Sequence, residues 1–146
     1  MTEPAKLDKL IIARAAAYAQ LVAMPAALIN SSLSGRADPP EVALTLSFLA
    51  VVVGFGIAGF AAGVNATRDV AKYGAVAALV SFVPVEMIAI LGRMDRGDPI
   101  RLLGIVMHGA VAAGIGLLTV KLGQRRQQAN LNRNDVSVTS PLEGQQ

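Results

Sequence analysis

Long stretches of this chain carry no charge. Residues 15–35 and 42–65 contain no Asp, Glu, Lys or Arg. Between Val70 and Arg93 only Lys72 and Glu86 break the apolar text, and within 102–120 the single ionisable side chain is His108. An α-helix rises 1.5 Å per residue, so about 20 apolar residues cross the hydrocarbon core of a bilayer. Four blocks of that length in 146 residues are more than a small soluble fold could bury on every side. Charged residues make up only 16% of the chain, against about 25% in an ordinary soluble domain. The pattern predicts an all-α integral membrane protein with four transmembrane helices arranged as two helical hairpins.

The expected spans are about 10–33, 42–64, 73–91 and 100–122, together a transmembrane domain over 10–123. A polar leader, 1–9, precedes them, and a polar tail, 124–146, follows. That tail is rich in Gln and Asn and broken by Pro141, so it is expected to fray into disorder after one or two helical turns. Pro25 should kink the first span, and Arg14 can snorkel to the headgroups. Lys6, Lys9 and Arg14 also resemble the charged region of a signal peptide. The apolar stretch is longer than such a peptide uses, however, and no A-x-A site follows it.

Gly54, Gly56 and Gly59 spell G-x-G-x-x-G after a β-branched run. A dinucleotide site would need a short strand before them and an acid about 20 residues further on. The uncharged run instead starts twelve residues earlier, and Ala77-Ala78-Leu79-Val80 occupies the place of the acid. Gly56, Gly59 and Gly63 recur at i, i+3 and i+7, on one face of a helix, and Gly59 and Gly63 form a GxxxG. In lipid, small residues that let backbones approach drive helix association. These glycines are read as a helix-packing seam, within the chain or between copies.

The basic residues predict an orientation. The leader, the second loop and the tail carry nine Lys or Arg, against four (Arg36, Arg93, Arg96 and Arg101) on the other side. Positive charge stays inside, so both termini are expected in the cytoplasm, for instance at a bacterial inner membrane. The Asn65-Ala66-Thr67 sequon would then face inward, unglycosylated. An internal echo is also present. Arg36-Ala37-Asp38-Pro39 recurs as Arg96-Gly97-Asp98-Pro99, and Gly54, Gly56 and Gly63 recur as Gly114, Gly116 and Gly123. A duplicated hairpin would place the repeats parallel, about a pseudo-twofold along the membrane normal. Asp38 and Asp98 would then cap the helices that Pro39 and Pro99 begin. A turn followed by a cap also accounts for Arg96-Gly97-Asp98 without any adhesive role.

Two ionisable residues inside the spans are the candidate site, because such residues are costly in lipid. Glu86 lies seven residues before Arg93, and His108 seven after Arg101. On antiparallel neighbours they would share a depth of about 10 Å at 1.5 Å per residue, and could meet as a carboxylate–imidazole pair. Gly104, one turn from His108, is expected to let the helices approach there. Gln20 and Asn30 could extend a polar path.

The chain has no Cys and one His, which leaves no common zinc set and no thiolate chemistry. No catalytic constellation is evident, so neither enzymatic activity nor a cofactor or metal is expected. The +3 net charge flanks hydrophobic spans rather than forming an aromatic-interleaved basic face, so no nucleic acid is expected. Two functions remain. The first is an accessory, assembly or regulatory subunit whose glycine-faced helices pack in the bilayer with other membrane proteins or with copies of itself. The alternative is a small oligomeric transporter or channel using Glu86 and His108 to couple a proton or cation.

Overall fold

The computed structural model describes residues 7–139, with side chains to Arg133. Residues 1–6 of the leader, with Lys6, and 140–146 of the tail, with Pro141, lie outside the described residues. Four helices follow one another: α1 Lys9–Ser34, α2 Glu41–Asn65, α3 Val70–Arg96 and α4 Leu102–Thr139. Each contains a window long and apolar enough to cross a membrane.

Local chemistry sets the boundaries. The Asp8 carboxylate caps α1 by accepting from the Leu10 N–H at 2.8 Å, satisfying one of the helix's free donors. α2 begins at Glu41, with Pro40 as its cap and no capping side chain. Asp38 therefore does not cap α2, contrary to the sequence reading. Pro39 precedes another proline and is thereby held out of the helical region, which delays the start by two residues. α3 ends in a Schellman turn: Gly97 is left-handed at φ 73°, and the Asp98 N–H reaches the Arg93 carbonyl at 2.9 Å. The Asp98 side chain pairs with Arg96 at 3.0 Å, and α4 starts only at Leu102. Asp98 and Pro99 thus close α3 rather than open α4.

α4 also runs to Thr139, beyond the one or two helical turns expected of the tail. Residues 124–139 contain neither Gly nor Pro, and six of the ten residues 124–133 are Gln or Arg, which tolerate helix well.

The interior is made of small residues. Ala19, Ala23, Ala58, Ala62, Ala77, Ala78 and Ala112 are fully buried, while Leu21, Leu103 and Leu118 are at least 70% exposed. This reverses the soluble pattern, as expected where lipid tails are as apolar as leucine and close backbone approach supplies the packing. Gly59 and Gly63 of α2 face Gly116 and Val120 of α4, and Gly74 of α3 faces the same two residues from the other side. A Cβ on Gly116 would lie 2.7 Å from that of Ala78. Gly56 faces Thr119 at an ordinary 3.4 Å. The seam is therefore filled within the chain.

α2 and α3 both touch every other helix, whereas among the described residues α1 and α4 do not meet. A twofold exchanging the hairpins would require α1 to touch α4 wherever α2 touches α3. The packing lacks that symmetry. The bundle is a rhombus with α2 and α3 on its short diagonal, and most of its large aliphatic side chains point outward.

Candidate functional site: a carboxylate in an intramembrane cavity

Glu86 lies on α3, two residues past Pro84. It is one of three buried polar residues among those described, and its side chain is only 8% exposed. Its Oε2 stands 3.7 Å from Nδ1 of His108 on α4, and its Oε1 stands 4.0 Å from an Arg93 guanidinium nitrogen. Arg93 is seven residues further along the same helix, hence on the same face two turns nearer the end. Both distances exceed hydrogen-bonding range. Oε1 is buried with no hydrogen-bond partner. His108 is half exposed and Arg93 about a quarter exposed, so Glu86 is the inner member of the group.

The three side chains line a cavity of about 180 Å³ that receives residues from all four helices. Asn30, Ser31, Ser34 and Arg96 line its polar part, at the end of the bundle formed by the α1–α2 and α3–α4 connections. Phe48, Phe55 and Phe82 line its apolar part. Phe55 and Phe82 stack edge to face, with centroids 6.2 Å apart. Phe55 lies fourteen residues into α2, about 21 Å from the start at 1.5 Å per residue, so the cavity reaches towards the middle of the bundle.

Arg96 is engaged elsewhere, with Asp98 at 3.0 Å and with the Ser31 carbonyl at 3.4 Å. Asn30 is also committed: its amide donates to the Leu44 carbonyl at 3.1 Å and to Ser47 Oγ at 2.8 Å. It ties α1 to α2 and also lines the cavity that holds Glu86. Gln20 donates to the Ser81 carbonyl at 2.7 Å, one residue from Val80, whose carbonyl loses its usual donor at Pro84. The other amide atom of Gln20, Oε1, is buried without a partner. Gain and cost then nearly offset, since interhelical bonds in membranes average about 0.6 kcal/mol. Gln20→Leu should shift stability by less than about 1 kcal/mol, checked by thermal unfolding in mild detergent.

Gly104 is not a point of close approach. A Cβ there would meet only its own Arg101 side chain, at 3.9 Å, because α4 has only just begun at Leu102. Sequence reasoning also passed over Arg93 as a partner of Glu86, although their spacing of seven was visible.

No protein family, curated protein or solved structure matches the chain. Among the described residues, no group of three or more His, Cys, Asp or Glu is placed to hold a metal ion.

Proposed function

We propose that this is a small membrane transporter or channel component in which Glu86, assisted by His108, takes up a proton or a cation inside the bundle. One observation carries the reading: Glu86, a buried carboxylate with one oxygen lacking a hydrogen-bond partner, belongs to the lining of a cavity that reaches deep between the helices. A buried acceptor left unpaired is costly, and intramembrane carboxylates and imidazoles mark proton and ion paths. Four helices enclose little volume, so a continuous path calls for more than one copy. Both termini lie in the cytoplasm in this reading, the membrane is a bacterial inner membrane, and the chain performs no chemistry of its own.

The accessory-subunit reading rests on a different observation. The glycine seam is filled by the chain's own helices, which removes its first support. α4, however, continues past Gly123 as a helix whose residues 128–133 are all exposed. Four of those six, Gln128, Asn130, Asn132 and Arg133, are polar, with Leu131 exposed among them, as on a helix that bridges to something else.

One experiment separates the two. In proteoliposomes holding the purified protein, an imposed pH or cation gradient should dissipate through the unmodified chain. Glu86→Gln should reduce that flux at least about tenfold, in line with the contribution of a positioned proton-transfer group. Equal flux from both proteins and from empty vesicles would leave the accessory role.

A further inference from the structure

Resting on that reading of the cavity, we infer that its ligand is a small zwitterion: a primary ammonium beside an anionic oxygen, carried on an apolar body. The charges require it. Glu86 contributes one negative charge and Arg93 one positive charge, while Arg96 is neutralised by Asp98 at 3.0 Å. Counted together, Glu86, Arg93, Arg96 and Asp98, the last of which does not line the cavity, sum to zero. A lone cation taken up by Glu86 would deprive Arg93 of its counter-charge, whereas a cation that also carries an anion supplies Arg93 with another.

Hydrogen-bonding capacity makes the same demand. The Glu86 carboxylate stands beyond hydrogen-bonding range of both charged neighbours, with Oε2 3.7 Å from His108 and Oε1 4.0 Å from Arg93. The Arg93 guanidinium reaches Glu86 only at 4.0 Å and can donate in a planar fork to an incoming carboxylate or phosphate. The two groups sit side by side on one helix face, opposite in sign. A molecule bearing ammonium and anion close together, as an α-amino acid does on a single carbon, docks against them head to tail.

The rest of the cavity sets the size. Phe48, Phe55 and Phe82 receive an apolar side chain, and about 180 Å³ slightly exceeds the roughly 150 Å³ that accepts benzene in an engineered protein cavity. It falls short of the roughly 300 Å³ at which drug-sized pockets begin. An amphipathic amino acid fits these limits. A phosphatidylethanolamine headgroup entering from the bilayer carries the same pair of charges, so the two sources are separated by experiment.

The test uses the full chain in phosphatidylcholine nanodiscs, titrated with L-phenylalanine and L-leucine and followed by calorimetry and thermal midpoint. Binding is expected, with the N-acetyl and carboxamide derivatives at least about tenfold weaker, because each lacks one charge-assisted hydrogen bond. Glu86→Gln should remove the preference for the free ammonium, and Arg93→Gln the preference for the free carboxylate. The derivative series on the unmodified protein keeps the test decisive even if a variant fails to fold. If the amino acids do not bind but phosphatidylethanolamine raises the midpoint and N-acylated phosphatidylethanolamine does not, the zwitterion is the lipid headgroup. If neither source binds, or the N-acetyl and carboxamide forms bind as well as the parents, the inference is overturned. Proton or cation flux without zwitterion binding would leave the transport reading standing and sink this one, and binding without flux would do the reverse.

Discussion

Gly116→Ala is expected to destabilise the bundle by about 3 kcal/mol, at the upper end of the cost of overpacking. The same change at Gly114, two residues away, should be neutral or slightly stabilising, within the roughly 1 kcal/mol by which alanine exceeds glycine in helices. The contrast follows from what one added carbon meets. At Gly116 it runs into the Gly74 backbone and comes within 2.7 Å of the Ala78 Cβ, whereas at Gly114 nothing lies within 4 Å. Backbone cannot rotate away as a flexible side chain could, so α3 and α4 must separate. That separation also disturbs α2, because Gly59 packs on the other side of Gly116. Thermal unfolding monitored by size-exclusion profile in mild detergent reads the difference directly. Equal midpoints for Gly116→Ala and Gly114→Ala would mean that the seam is not where α2, α3 and α4 meet.

That prediction also marks how far the sequence could be read. The four spans were legible because charge-free blocks of bilayer length leave little choice of environment. Gly56, Gly59 and Gly63 were legible as one face because a helix repeats every 3.6 residues. Their partner was not, since GxxxG serves contacts within and between chains equally. Two further stripes were present but went unread: Ala15, Ala19 and Ala23 on α1, and Ala112, Gly116 and Val120 on α4. Both run at i, i+4, but alanine is too common in apolar helices to stand out. The internal echo pointed to a symmetry the packing lacks, because matching loops report descent or chance while helix contacts depend on every facing side chain. Gly104 was misjudged for a different reason. Its packing role placed Gly104 within α4 beside α3, whereas α4 begins only two residues before it, at Leu102.

The second large effect concerns the charges. Arg93→Ala is expected to cost about 3 kcal/mol, the lower end for removing one partner of a buried pair. The lower end applies because Arg93 is about a quarter exposed and 4.0 Å from the carboxylate. Its loss leaves the Glu86 carboxylate, 8% exposed, with only the half-exposed His108 nearby. Glu86→Gln should cost less, about 1 kcal/mol, because a long guanidinium freed of its partner can snorkel to the interface while a buried carboxylate cannot. Combining the two changes should therefore restore part of the loss, giving a double variant more stable than Arg93→Ala alone. Unfolding free energies of the four proteins in one detergent complete the cycle and isolate the coupling. Were the double variant no more stable than Arg93→Ala, Glu86 would not depend on Arg93 for its charge balance. The pairing of Glu86 with Arg93 would then lose its physical basis, and the case for a zwitterionic ligand would weaken with it.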